Sequence, residues 1–302
     1  MKYGIIDIGS NTIRLNLYLV SENKNIVSLL NKKTVAGLST YISDGQMTKK
    51  GADKLVRVLK GFLSICNHFD IENVFMFATA ALRNAKNQKQ VMEYVENSIG
   101  HNIDLLSGED EASLGYLGIR EDFDIKTGYI VDIGGGSIEI TVIENGEITF
   151  STSLTDGHLS LYKQYVERIF PTDKEAKNIS KHVRRLLREY KVPKLNEAYP
   201  IYGMGGTIRA TGNIAMELFD LPSNSLLEIS TVKKLEGKLR KVDPAVMNMS
   251  LQVVPERIHT ITPGVIVLLE VIKYLNASKV NISKNGAREG YLIRSIEKQN
   301  GK

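Results

Sequence analysis

The sequence predicts an α/β fold made of two related domains. Two observations carry that prediction: a strand–turn–strand pattern written twice, and an alternation of β-type and helix-type runs along 302 residues. The first copy reads Ile5-Ile6-Asp7-Ile8-Gly9-Ser10-Asn11-Thr12-Ile13, the second Ile130-Val131-Asp132-Ile133-Gly134-Gly135-Gly136-Ser137-Ile138. Each is an apolar run, an Asp, a polar turn containing Gly and a second apolar run. A buried strand that ends in Asp and turns through Gly presents backbone N–H groups beside a carboxylate. The N–H groups suit phosphate oxygens, and the carboxylate suits a hydrated divalent cation. Two such turns facing each other would make a phosphate site between two related domains. A single Asp-containing turn is ordinary hairpin punctuation, so the matched repetition carries the weight.

The elements follow in order. Lys2 to Ile8 and Ile13 to Val20 read as strands around the first turn. Thr48 is a plausible N-cap for a helix whose Ala52, Leu55, Val56, Leu59, Phe62 and Leu63 recur at helical spacing. Asn73 to Ala78 is a β-type run leading into Thr79-Ala80-Ala81-Leu82-Arg83-Asn84; a helix follows over Gln88 to Ser98, then a short strand over Ile103 to Leu106. Ser107-Gly108-Glu109-Asp110-Glu111-Ala112 opens another helix. Alternation of this kind argues for an α/β domain. The stretch from Arg120 to Gly128 is charged and aperiodic, which sets the expected domains at 1–122 and 123–302, with the final helix able to pack back on the first. After the second strand–turn–strand come helices at Leu159–Phe170 and Thr172–Tyr190. A strand at Pro200–Tyr202 runs into a third glycine-rich turn, Gly203-Met204-Gly205-Gly206-Thr207-Ile208-Arg209. A helix over Pro263–Leu275, a strand over Lys279–Ser283 and a helix from Gly286 onward complete the reading.

Composition narrows the function classes. Hydrophobic content of 42% and charged content of 24% are those of soluble globular proteins. The most apolar stretch, Gly264 to Leu275, is interrupted by Glu270 and Lys273 and falls short of the ~20 residues a membrane helix needs. The N-terminus runs into a strand, so no signal peptide is expected; the lone Cys66 lies in an apolar helical run and fits a reducing cytoplasm. The net charge of +5 favours anionic partners without implying nucleic acid. The His residues lack metal-ligand spacing, and no Walker motif or Ser-His-Asp signature is present.

Several residues could carry chemistry. Glu109, Asp110 and Glu111 open a helix that Ser107 would cap. An acidic first turn complements the helix dipole, and a carboxylate near a bound phosphate can also deprotonate an attacking water. The residues by themselves leave all three acids open. Arg83, after a strand end, could hold a phosphate bidentately. Asp7 and Asp132 at strand ends could hold Mg²⁺ through water. Gly134, Gly135 and Gly136 cost backbone entropy, which points to close backbone approach to a ligand. Gly203, Gly205, Gly206 and Thr207 form a similar nest or a plain strand-to-helix connection. Lys177, Lys181, Arg184 and Arg188 share one helix face opposite Ile179, Val183, Leu186 and Leu187. That stripe reads as a solvated face, with a polyanion track as the alternative.

At this point the chain resembles the exopolyphosphatase/guanosine pentaphosphate phosphohydrolase family. The resemblance lies in Asp7 to Thr12, Ala78 to Arg83, Ser107 to Ala112, Asp132 to Glu139, Gly203 to Thr207, Pro255-Glu256-Arg257 with Pro263-Gly264, and Gly286 to Gly290. Together these cover nearly the whole chain. The glycine turns by themselves would indicate only the wider actin-like ATPase and sugar kinase superfamily. The resemblance implies two ribonuclease H-like (actin-like ATPase) domains with an active-site cleft between them. It implies Mg²⁺-assisted hydrolysis of a terminal phosphoanhydride, releasing orthophosphate. The base of the family's Ser-Gly-x-Glu-Glu-Ala motif maps onto Glu111, and the preceding Glu is Asp110 here. Asp132 then looks like the metal-associated carboxylate, with Asp7 as a second, and Glu139 like a further active-site acid. Gly9, Ser10, Asn11, Thr12, Arg83, Gly134, Gly135, Gly136, Ser137, Gly205, Gly206 and Thr207 look like the phosphate cradle.

One segment departs from the family pattern: Asp156-Gly157-His158-Leu159-Ser160, where small or apolar residues usually follow a Gly. It bears on substrate preference more than on chemistry. Longer members carry a C-terminal helical region that this chain does not reach, which favours short polyphosphate over long. The expected substrate is inorganic polyphosphate, with guanosine pentaphosphate as the close alternative. A non-catalytic sensor of polyphosphate or guanosine tetraphosphate is a reading of a different class, and a sugar- or acetate-type kinase a weaker third. The expected setting is the cytoplasm, with no membrane, no specific nucleic acid and a homodimer as the assembly to test.

Overall fold

The computed structural model describes residues 1–23 and 25–301. It divides into two compact units, Met1–Glu111 with Tyr291–Lys302, and Ala112–Gly290.

In the first unit, β1 (Lys2–Ile8), β2 (Thr12–Val20) and β3 (Ile26–Val35) form an antiparallel meander. A small hairpin of β4 (Ile42–Ser43) and β5 (Gln46–Met47) leads to α1 (Lys49–His68). Then come β6 (Asn73–Ala78), the short α2 (Ala80–Arg83), α3 (Gln88–Ile99), β7 (Asp104–Leu105) and the start of α4 (Gly108–Ile119). The sheet order is β3-β2-β1-β6-β7, with β6 and β7 parallel to β1. Ile6, Ile8, Ile13, Leu15 and Leu17 of the meander bury against Leu55, Leu59 and Phe62 of α1. Thr48 caps α1 as expected, accepting from the Gly51 amide at 3.2 Å. Cys66 lies in this core, and burial pushes its thiol up to about 11.

The second unit repeats the plan. Strands β8 (Gly128–Ile133), β9 (Ser137–Glu144) and β10 (Glu147–Thr155) form the meander, followed by α5 (His158–Tyr165) and α6 (Asp173–Glu189). Next are β11 (Ile201–Met204), α7 (Gly205–Phe219), β12 (Leu226–Glu228), α8 (Ile229–Arg240), α9 (Pro244–Val253), α10 (Ile261–Leu275), β13 (Lys279–Ile282) and α11 (Ala287–Gln299), whose C-terminal part belongs to the first unit. The sheet order β10-β9-β8-β11-β13-β12 matches the first sheet through β13, and β12 adds an antiparallel edge. The apolar α10 is buried along nearly its whole length, which accounts for its lack of a polar face.

Two expectations need correcting. The helix expected over Leu159–Phe170 ends at Tyr165, where Val166 is extended. The third glycine-rich turn is not a turn: Gly203 and Met204 complete β11, and Gly205 begins α7 directly. Strands β3 and β10 carry no expectation above. The mostly exposed residues of β3 lack the alternation of a half-buried strand.

Candidate active site

The two meanders present the same turn. Gly9 N–H donates to Thr12 O at 3.1 Å, and Gly134 N–H donates to Ser137 O at 2.9 Å. In each, the turn's carbonyls are tied down by the segment that follows the third strand. Asn11 O accepts from Ala36 and Gly37, and Ser10 O accepts from Ser39 at 2.9 Å. Gly134 O accepts from His158 at 3.0 Å, Gly135 O from Leu159 and Ser160, and Gly136 O from Asp156 at 3.1 Å. With the carbonyls engaged from behind, the amides are left over. Among the described residues, no protein acceptor takes the N–H of Ser10, Asn11, Gly135 or Gly136. These groups make two nests suited to anionic oxygens.

Each nest has a carboxylate beside it. Asp7 stands opposite Arg14 in the β1–β2 register. Asp132 stands opposite Glu139 in the β8–β9 register, and Glu139 accepts from the Ser153 hydroxyl at 2.9 Å. In the second unit α7 adds a further set of amides. It has no side-chain N-cap, so its first N–H groups, at Gly205, Gly206 and Thr207, keep the free donors of a helix start. Gly205 has φ +80°, and a Cβ there would fall on the Asp132 carboxylate, 2.6 Å from Cγ. Asp132 therefore lies directly over the start of α7.

The Asp156–Ser160 segment locks this arrangement. A Cβ on Gly157 would stand 2.7 Å from both Gly135 C and Ser137 N, with only backbone in its way. Asp156 takes φ 74°, and its carboxylate is hydrogen-bonded to His182 Nε2 at 3.0 Å. The other ring nitrogen of His182 meets the Tyr165 hydroxyl at 2.8 Å. The departure from pattern is thus a tether on the second turn.

In the first unit the three acids separate by geometry. Ser107 caps α4, and Asp110 completes a reciprocal box: its amide donates to Ser107 Oγ at 3.0 Å, and its carboxylate accepts from the Ser107 amide and hydroxyl. Arg294 also donates to Asp110 at 2.9 Å. These bonds, the Ser107 bond foremost, hold the Asp110 carboxyl below its ordinary value. Glu109 is exposed. Glu111, on the next face of the helix, pairs with Arg83, whose Nη1 also donates to Leu106 O at 2.8 Å. Asp110 is taken up by the cap and Arg294, whereas Glu111 pairs with Arg83, the arginine that follows the end of β6.

Two arginines received no role from the sequence. Arg257 Nη1 reaches Thr207 Oγ1 at 3.4 Å. Arg209 donates to the carbonyls of Ser283 and Lys284 at 3.2 Å each. Both are partly buried and held below the usual arginine value by desolvation, with the Asp132 charge acting in the opposite direction. The signal was present in Pro255-Glu256-Arg257, but nothing local says that this turn returns to the start of α7.

Among the described residues no three His, Cys, Asp or Glu side chains cluster as a metal cage. Mg²⁺ is usually held by one or two carboxylates plus substrate phosphates and water, and Asp132 and Asp7 fit that chemistry. No helix of the described residues is long and apolar enough to cross a membrane.

Strand order and full-length likeness to solved structures place the chain in the actin-like ATPase class of ribonuclease H-like folds. Within that class it belongs to the Ppx/GppA phosphatase family, whose model matches residues 6–299. It is 26% identical over 311 residues to exopolyphosphatase 1 of Mycobacterium tuberculosis, covering 99% of this chain and 89% of the relative. It is 24% identical over 309 residues to a guanosine-5'-triphosphate,3'-diphosphate pyrophosphatase of Photobacterium profundum, covering 98% of this chain and 59% of the relative. The Ppx/GppA family member of Aquifex aeolicus superposes with a TM-score of 0.81 at 24% identity, covering 99% of both chains. An exopolyphosphatase from Cytophaga hutchinsonii gives 0.83 at 19%, covering 99% and 98%.

Proposed function

We propose that the protein is a Mg²⁺-dependent exopolyphosphatase that hydrolyses the terminal phosphoanhydride of inorganic polyphosphate and releases orthophosphate. The observation that carries the reading is the repeated nest of unengaged amides beside Asp7 and Asp132, together with Glu111, the acid of the α4 start that pairs with Arg83. The amides and Arg83 bind and orient phosphoryl oxygens. Glu111 accepts a proton as a water oxygen bonds to the terminal phosphorus and the bridging P–O bond breaks. Asp132 would hold Mg²⁺, which when bound neutralises charge on the phosphate oxygens, and Asp7 is the corresponding carboxylate of the first unit's turn. Glu139, fixed by Ser153, adds an acid beside Asp132.

Removal of the 5'-terminal phosphate of guanosine pentaphosphate is the second reading, and the likeness to the Photobacterium protein favours it. Tripolyphosphate, long-chain polyphosphate and guanosine pentaphosphate assayed side by side with Mg²⁺ separate the two. Phosphate release no faster than in the metal-free control, on all three, would sink both. A cytoplasmic setting goes with either reading, since the buried thiol of Cys66 suits reducing conditions.

Replacing Asp132 by Ala is expected to raise the Mg²⁺ concentration for half-maximal rate and to depress the rate itself. An unchanged Mg²⁺ dependence removes Asp132 from the metal site.

The basic stripe of α6 is exposed, but Arg184 is partly spoken for. Its Nε stands 3.3 Å from Glu270 Oε2, near enough for an ion pair though not aligned as a hydrogen bond, and Lys273 holds the other oxygen of that buried carboxylate. Lys181, Arg184, Arg185 and Arg188 rim an open depression of about 340 Å³. A test that spares Arg184 replaces Lys177, Lys181 and Arg188 by Gln. Long-chain polyphosphate should then bind more weakly and with a flatter salt dependence, while tripolyphosphate changes little. Equal affinity and equal salt slope would leave the stripe a solvated helix face.

A further inference from the structure

The Asp156–Ser160 segment carries a side chain that the reading above does not use. His158 is the first residue of α5, and its amide is spent on Gly134 O. Its ring lies over the second glycine turn: an ideal Cβ on Gly135 would stand 4.0 Å from His158 Nε2. The opposite ring nitrogen, Nδ1, is sealed from solvent and has no hydrogen-bond partner. Among the described residues Nε2 has no protein partner either, but it is not sealed in the same way. It is the ring atom nearest the Gly135 position, and no protein acceptor among the described residues takes the Gly135 N–H.

This asymmetry assigns the proton. A neutral imidazole carries one N–H and one lone pair. A buried N–H without an acceptor is rarer in folded proteins than an under-used acceptor. The proton therefore belongs on Nε2, where solvent or a ligand can receive it, and the lone pair is left in the sealed position. Protonating both nitrogens would bury a second N–H without an acceptor, beside charged neighbours. Desolvation first, then the Arg257 and His259 charges, push the ring's pKa down to about 3.

We propose that His158 is a binding residue of the second glycine turn, its Nε2–H an uncharged donor that adds to the Gly135 and Gly136 amides in holding a phosphate oxygen. The inference rests on the phosphate-handling reading of this turn. A neutral donor recognises the oxygen without supplying charge, so its contribution does not follow the titration of an ordinary histidine.

The test measures binding of inorganic phosphate rather than turnover, using the full chain. His158→Ala should weaken phosphate binding, and product inhibition by phosphate, about tenfold, the order expected for one hydrogen bond to a charged acceptor. His158→Gln, whose amide nitrogen takes the place of Nε2, should recover most of the loss, and His158→Asn, which reaches only as far as Nδ1, should not. In the unaltered protein, long-range ¹H–¹⁵N spectra should show His158 as the Nε2–H tautomer from about pH 6 to 8, where an ordinary histidine titrates. The Nε2–H signal should move on adding phosphate. Unchanged phosphate binding in His158→Ala, an equal defect in the Ala and Gln variants, or an Nδ1–H tautomer would each overturn the assignment. If the unaltered protein releases phosphate from tripolyphosphate and the variants bind phosphate as it does, only this inference fails. If the unaltered protein neither releases nor binds phosphate, the reading of the site fails with it.

Discussion

Glu111→Gln should lower kcat by about 10²–10⁴, the usual share of a general base, with KM for tripolyphosphate little changed. The replacement keeps the length and shape of the side chain, and its amide oxygen can still accept from Arg83. What it loses is the lone pair basic enough to take a proton from water. Asp110→Asn is the matched control. Asp110 is occupied with the cap of α4 and with Arg294, so its replacement should cost helix-start stability and only a small part of the rate. Steady-state kinetics of the two variants decide the matter. A greater loss of kcat in Asp110→Asn would move the base to Asp110 and overturn the role given to Glu111.

Gly205→Ala should be strongly damaging to the second unit. Two independent costs meet there. The residue has φ +80°, which an L side chain tolerates at about 1–2 kcal/mol. The new Cβ also lands on the Asp132 carboxylate, and overpacking of this kind costs about 1–3 kcal/mol. Together they amount to about 2–5 kcal/mol. The strain is relieved only by moving Asp132, so activity should be lost even at temperatures where the variant stays folded. Gly136→Ala is the contrast for stability, because a Cβ there meets nothing within 4 Å. Thermal melts of both, with the Mg²⁺ dependence of whatever activity remains, are the measurements. A Gly205→Ala variant as stable and as active as the parent would mean that Asp132 does not lie over the start of α7.

Much of this site was legible without coordinates because it is made of backbone. An Asp at a strand end, followed by residues that let the chain turn tightly, dictates unengaged amides beside a carboxylate wherever the flanking runs are apolar enough to be buried. Asp7 to Ile13 and Asp132 to Ile138 satisfy that rule, and both form the same hydrogen-bonded turn. The cap of α4 was equally local, since Ser107 and Asp110 lie within one helical turn of each other.

The misreadings share a cause as well. Strand β3 exposes most of its ten residues, so it carries no alternation of polar and apolar residues. It is a strand because β2 pairs with it along its length. The third glycine cluster has the composition of a turn, yet α7 begins at Gly205 without a cap, because β11 delivers the chain beneath Asp132 and leaves room for no side chain.

The sequence by itself therefore determined the class of fold, the repeat, the two carboxylate-bearing turns and the short list of acids. These depend on periodicity and on contacts within a few residues. Only the tertiary structure decided that Asp110 is taken by the helix cap, that Arg83 pairs with Glu111 across 28 positions of chain, and that Arg257 returns to Thr207 across 50. It also decided that the Asp156–Ser160 segment closes over the second turn. Such pairings are set by where separate elements pack, and packing depends on the summed shape of buried side chains rather than on any local pattern.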